Sequence, residues 1–134
     1  MKRSPIRKTP KNSLSKSKKR LDNVFSRYIR TKYSKNGYVA CFTCNAIKPI
    51  AEMQNGHYVS RTYNSLRFSE LNCHPQCPGC NVFKHGNMDE YARALVKKYG
   101  PDILETLAKE KRKIKQFTVQ ELENLTRKYE SMIQ

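Results

Sequence analysis

Two Cys-x-x-Cys pairs, Cys41/Cys44 and Cys77/Cys80, constrain this chain more than any other feature. Four thiolates in two close pairs meet the tetrahedral demand of a single zinc ion, and the two-residue gap lets each backbone turn wrap it. A simple zinc ribbon separates its pairs by roughly 15–20 residues. Here 32 residues intervene, so segment 45–76 must leave the ion and return to it, as a β-hairpin does, and the stretch after Cys80 must begin beside it. A chain of 134 residues, 37% of them hydrophobic, has room for one compact domain with a modest core, which a metal crosslink would help to fold. No apolar run of about 7–15 residues follows the basic start, and nothing later approaches membrane-spanning length, so a cytoplasmic protein is expected. In that reducing compartment paired cysteines are metal ligands more often than disulfides. The fifth cysteine, Cys73, has no such partner and reads as a small buried side chain, and His74 beside it is ambiguous.

Twenty-seven Lys and Arg against eleven Asp and Glu give a net charge of +16, a balance that favours nucleic acid or another polyanion as partner. A solvated basic surface or a ribosomal-type RNA binder would carry the same charge. Residues 1–20 hold nine Lys or Arg, no acid and two prolines, which predicts a disordered basic arm suited to holding phosphates. From Leu21 the pattern changes: Leu21, Val24, Phe25, Tyr28 and Ile29 recur at helical spacing and predict a helix of about a dozen residues to Ser34. Asn36-Gly37 ends it, and Tyr38-Val39-Ala40 leads in extended form to the first cysteine pair.

From Ile50 to Arg67 the chain reads as short strands and turns, with Asn55-Gly56 as a turn signal, His57-Tyr58-Val59 as a β-prone triplet and 61–66 as polar loop. Asn81 to His85 predicts a short helix that Gly86 ends, and Asn87-x-x-Glu90 resembles a capping box for a helix over 88–99 with Tyr91, Leu95 and Tyr99 on one face. Gly100-Pro101 opens another helix, with Ile103, Leu104 and Leu107 apolar, that fades into the basic run Lys109 to Lys115. Thr118-x-x-Glu121 is a second capping box. The helix it opens carries Leu122, Leu125, Tyr129, Met132 and Ile133 as a narrow apolar seam, suited either to core packing or to pairing subunits.

A shared zinc would fix the returning segment and the helix after Cys80 around one point. Asn81 and His85, four apart, would then lie on one helical face about a turn from each other. Amide oxygen and imidazole both ligate divalent cations, and with His57 facing them a phosphodiester could sit between a base and a metal. Taken singly, His57 also reads as an ordinary strand histidine and Asn81 as a helix cap.

The run Gly56-His57-Tyr58-Val59-Ser60-Arg61, then Arg67-Phe68, then Asn72-Cys73-His74-Pro75-Gln76-Cys77-Pro78-Gly79-Cys80-Asn81, then Lys84-His85-Gly86-Asn87, resembles the phage NinG or Rap family of HNH-type, ββα-metal nucleases. The resemblance is dense from Cys41 to Tyr99, and its zinc knuckles are similar to those of phage endonuclease VII. It implies an α+β fold: a zinc-stabilised ββα-metal, HNH or treble-clef-like core with flanking α-helices and a disordered basic N-terminal arm. The division it suggests is 1–20 as arm, 21–100 as the zinc-bound nuclease domain with its leading helix, and 101–134 as a C-terminal helical extension.

The implied activity is a metal-dependent, structure-specific endodeoxyribonuclease acting on branched DNA, including Holliday junctions and D-loops, during phage recombination in the host cytoplasm. His57 matches the general base, and Asn72 matches the asparagine that orients the loop holding it. Asn81 and His85 match the carriers of the catalytic metal, Mg²⁺ or Mn²⁺, and Cys41, Cys44, Cys77 and Cys80 match the structural Zn²⁺ ligands. Arg61, Arg67 and Lys84 flank the motif and are expected to contact phosphates. Many such nucleases place Asp or His before the catalytic histidine as a metal ligand, where this chain has Gly56. Asn81, His85, water and the DNA phosphate would then hold the metal, or an acid such as Glu52 or Glu70 would reach in. Symmetric resolution of a four-way junction needs two nicks, which favours a homodimer, with the terminal seam as one candidate interface. Two other classes share the charge and the knuckles: a non-catalytic zinc module binding branched or single-stranded DNA as a recombination accessory, and an RNA-binding, ribosomal-type protein. Only His57, Asn81 and His85 discriminate between them by sequence.

Overall fold

Residues 11–133 are described by a computed structural model, a mixture of helices and two small sheets. Helix α1 spans Lys11–Lys32 and so begins well before the expected helix, in the second half of the stretch read as disordered arm. Residues 1–10 of that arm lie outside the described residues. The longer helix has a physical cause in α5 (Val119–Met132), which lies alongside it. Leu21, Val24, Phe25, Tyr28 and Ile29 are buried in one cluster with Leu122 and Tyr129, and Arg20 Nη2 sits 3.7 Å from the Glu130 carboxylate. Once packing has nucleated the helix, each further turn adds a hydrogen bond per residue fixed, which polar residues with adequate propensity such as Lys and Ser can exploit. The apolar seam of α5 is thereby used within this chain. The Thr118 capping box forms as expected, with Thr118 Oγ1 accepting from Glu121 N at 3.1 Å.

Strands β1 (Tyr38–Ala40) and β2 (Ile47–Pro49) pair antiparallel around the first cysteine pair. Strands β3 (Gln54–His57) and β4 (Cys73–Gln76) form the second antiparallel sheet, with Gly56 opposite His74 and His57 opposite Cys73. Asn55-Gly56 is therefore strand, where a turn was expected. The glycine answers a close approach across the sheet, since a Cβ at position 56 would collide with the buried Gln76 carboxamide. Between β3 and β4 the polar loop contains one helical turn, α2 (Asn64–Arg67).

After Cys77 the chain makes a π-helical turn, Gly79–Phe83, in place of the expected α-helix. His85, Gly86 and Asn87 then all adopt left-handed backbone, at φ 51°, 93° and 50°. Left-handed backbone costs a non-glycine residue about 1–2 kcal/mol, and here it reverses the chain between the cysteine pair and α3. Helix α3 (Met88–Tyr99) has the expected bounds, but Asn87 makes no side-chain cap and the predicted capping box is absent. From its left-handed position the Asn87 amide donates to Cys80 Sγ at 3.6 Å instead. Tyr91 and Leu95 bury the face that packs with Leu66, Ile103 and Leu107, the last two from α4 (Ile103–Lys111). Among the described residues, no helix is long and apolar enough to cross a membrane.

Candidate functional site

The sulfur atoms of Cys41, Cys44, Cys77 and Cys80 all lie within 4.8 Å of one another. Zinc–sulfur bonds of ~2.3 Å in a tetrahedron put sulfurs about 3.8 Å apart, and Cys44 Sγ is 3.7 Å from Cys77 Sγ. The donor set and its dimensions therefore fit a structural zinc. Among the described residues these four are the group of three or more His, Cys, Asp or Glu donors placed to share an ion. Burial opposes ionisation of Cys41, but hydrogen bonds from Thr43 and from the backbone at Cys77, Thr43 and Cys44 outweigh it and bring the thiol down to about 6. Burial and the neighbouring thiols push Cys44 up to about 12. A cation at the centre reverses that repulsion, so metal binding and proton release are linked. Cys73 is fully buried in the α1/α5 core and is not part of the group.

His74, also fully buried, is a core histidine: Nδ1 lies 3.0 Å from Tyr91 Oη, Nε2 2.8 Å from Tyr99 Oη, and its ring stacks on Phe42 at 4.0 Å. Burial, with Lys98 and Lys32 nearby, pushes its pKa down to about 3.

The cysteine corner adjoins a cleft of about 500 Å³ whose walls come from α1, β3, α2 with its preceding loop, and the turn after Cys80. His57, Asn81 and His85 all line it. They do not share a helical face, because the π-helical turn ends at Phe83 and His85 is left-handed; the cleft joins them through tertiary placement. His57 Nε2 lies 2.9 Å from the Arg67 carbonyl. A carbonyl can only accept, so Nε2 carries the proton and Nδ1 is the ring's basic nitrogen. Burial lowers the His57 pKa, opposed by the Arg67 carbonyl and Asp22 and assisted by Arg67 and Arg61, so the ring is neutral near pH 7.

Asn72 is fully buried and holds the loop between β3 and β4: Nδ2 donates to Val59 O at 2.9 Å and Leu66 O at 3.2 Å, and Oδ1 accepts from Val59 N at 2.7 Å. Through Leu66 O it braces the helical turn that carries the Arg67 carbonyl. Asn81 Nδ2 donates to Gln54 Oε1 at 2.8 Å, which leaves Oδ1 as the atom able to take a cation. Arg61 is exposed at the cleft, and Lys84 is exposed on the turn outside its lining. Arg67 lines the cleft, but its guanidinium is engaged by both Asp22 oxygens and by the Arg61 carbonyl.

Neither acid considered as a substitute ligand lines the cleft. Glu70 accepts from Tyr28 Oη and Lys32 Nζ, both at 2.8 Å, and Glu52 ends a 3₁₀ turn. The acid in the cleft wall is Asp22 from α1, which sequence reasoning missed together with Arg30 and Ser26. A signal was there: Asp22 is the one acid in the 22 residues of α1.

The family profile described as "Bacteriophage Lambda NinG protein" matches residues 2–134. The chain belongs to the NinG family. It is 29% identical to "Protein ninG" of Escherichia phage 933W over 94 residues, 69% of this chain and 46% of that protein. It is 32% identical to "Protein ninG" of Escherichia phage lambda over 68 residues, covering 50% and 33%, and 36% identical to that of Salmonella phage P22 over 61 residues, covering 45% and 30%. This NinG chain thus aligns with less than half the length of these curated relatives. No solved structure matches it.

Proposed function

We propose that this NinG chain is a metal-dependent endonuclease that cuts branched DNA. The observation that carries the reading is the cleft itself: His57, oriented through Nε2 so that Nδ1 is basic, shares it with Asn81 and His85 in a chain of net charge +16. In the proposed reaction His57 Nδ1 accepts a proton from the attacking water, and the Nε2–H bond to Arg67 O both aims the ring and stabilises the imidazolium that forms. Asn72 keeps that carbonyl's segment in place. The cysteine corner would hold Asn81 and His85 at the same cleft, on the turn tied to Cys77 and Cys80. Mg²⁺ or Mn²⁺ held by Asn81 Oδ1 and His85 would supply charge neutralisation at phosphorus and at the departing 3′ oxygen. Hard cations prefer oxygen donors, and two neutral protein ligands make a thin set. Water and the DNA phosphate would complete it, so metal affinity should be weak before DNA arrives.

Gly56 is no gap in this site, because its side-chain direction points into the buried Gln76. The basic surface supplies sequence-independent affinity that falls steeply with salt. The test incubates the zinc-loaded protein with a labelled four-way junction or a matched linear duplex, with Mg²⁺ or with no added divalent cation, alongside His57→Ala. Junction cleavage that needs both Mg²⁺ and His57 is expected. An intact junction in Mg²⁺ would remove the nuclease reading and leave a zinc module that binds nucleic acid without cutting it, and equal cutting by His57→Ala would remove His57 as the base.

A further inference from the structure

The π-helical turn that carries the candidate site also carries an apolar tip which the core does not use. Phe83 is 80% exposed and its neighbour Val82 53% exposed. The residues on either side, Asn81 and His85, line the cleft. This tip is not a loose loop. Asn81 N donates to Cys77 O at 2.9 Å, Lys84 N to Gly79 O at 3.0 Å and Gly86 N to Cys80 O at 2.8 Å, so the turn is tied directly to two of the clustered cysteines. Its sequence surroundings disfavour a basic or purely apolar partner: no Asp or Glu occurs between Glu70 and Asp89, and Lys84, next in sequence to Phe83, is exposed. An aromatic face held out rigidly next to a lysine suits a ligand with a flat apolar surface and a negative backbone.

Building on the nuclease reading, we propose that Phe83, supported by Val82, is a wedge that stacks on an unpaired or unstacked nucleobase of branched DNA while the adjoining phosphate enters the cleft. Apolar side chains wedge between base steps and distort the duplex, and base–aromatic stacking is tolerant of sequence because every base has a π-face. In a continuous duplex each base is already stacked on both sides, whereas a branch point offers bases whose stacking is interrupted. The wedge would therefore favour branched over linear DNA without reading any base. It gives the turn two tasks, metal ligation by Asn81 and His85 and substrate choice by Phe83 between them.

The chain contains no tryptophan, so Phe83→Trp introduces a single reporter at this position. DNA binding is followed with the zinc-loaded protein and no added Mg²⁺ or Mn²⁺, so that the turn keeps its zinc, by anisotropy of labelled junction and labelled duplex of equal length, and by the tryptophan emission. Emission quenched by the junction and little changed by the duplex is expected. Phe83→Ala, with its zinc content and circular dichroism unchanged, should weaken junction binding about tenfold and leave duplex binding nearly as before. A Phe83→Ala protein that keeps the parent's junction-to-duplex ratio, or tryptophan emission that responds equally to both DNAs, overturns the wedge while leaving the nuclease reading intact. Conversion of a parental dimer to monomer by Phe83→Ala, with DNA binding unaltered, assigns the tip to a second copy of the chain and likewise overturns it. Failure of the parent to bind either DNA removes the nuclease reading and the wedge together.

Discussion

His57 Nε2 and the Arg67 backbone carbonyl lie 2.9 Å apart, and that one contact decides which nitrogen of the imidazole is basic. The carbonyl is presented by α2, the single helical turn that Asn72 braces through Leu66 O. Removing the base by His57→Ala should lower junction cleavage by about 10²–10⁴-fold, the usual range for general base catalysis, with zinc content unchanged. The pH profile carries a further sign. The neutral ring is the active form, and burial holds its pKa below the ordinary 6.5, so single-turnover rates should stay level as pH falls through 6.5 and decline only below it. An acid limb centred at or above 6.5 would contradict the buried, carbonyl-bound base.

Gly56 and Gln76 occupy one space. Gly56→Ala should destabilise the protein by about 1–3 kcal/mol through overpacking, read by urea unfolding. Gly56→Asp should fail to tighten Mn²⁺ binding, because its carboxylate would meet Gln76 rather than the cleft. Combining Gly56→Ala with Gln76→Ala should cost less than the sum of the two single changes, since each relieves the crowding that the other feels.

The Asp22–Arg67 pair joins α1 to α2, with side chains only 16% and 15% exposed. Asp22→Asn leaves the Arg67 guanidinium poorly compensated and should cost about 2–3 kcal/mol, somewhat less than the loss of a fully buried partner. Urea denaturation of the zinc-loaded protein measures this. A change within experimental error would mean that the pair is solvent-screened.

Metal analysis should find one zinc per chain, lost on Cys80→Ser and retained on Cys73→Ser. Zinc uptake should release protons, because Cys44 starts protonated, with its thiol held at about 12. Chelation should raise hydrogen exchange across 79–88, the turn hung from Cys77 and Cys80. Unchanged exchange there would show that the turn holds its shape without metal.

His74 offers a pH test of the core. Its folded-state pKa of about 3 lies below the 6.5 of the unfolded chain, so the unfolded state binds the proton more readily. The stabilising preference is present above pH 6.5 and is lost as pH falls from there toward 3. Between pH 7.5 and 5.5 the parent should lose about 1.4 kcal/mol more stability than His74→Gln in the same excess of zinc. Lys98, Lys32, Tyr91 and Tyr99 face the ring and are common to both proteins. Equal losses in parent and variant would mean that the ring takes up its proton in the folded state.

Short-range signals explain what could be read in advance. The cysteine quartet, the bounds of α3, the Thr118 cap and the start of α4 each depend on residues a few positions apart, where spacing and side-chain chemistry act directly on the backbone. The same reasoning failed at Asn55-Gly56, at Asn87 and at the N-terminal half of α1. In each of these a distant partner overrode the local preference: the Gln76 carboxamide, the Cys80 sulfur and the neighbouring helix α5.

By itself, then, the sequence determined the metal donors, the basic surface and the residue types His57, Asn81 and His85. Their gathering into one cleft was decided only by tertiary structure. Asp22 and Arg67 meet across 45 positions, Asn81 and Gln54 across 27, and His57 is aimed by a carbonyl ten residues on. No local periodicity encodes such contacts. They arise because burying α1 against α5, and bringing two cysteine pairs to one point, draw residues far apart in sequence together, where buried polar groups find partners in one another.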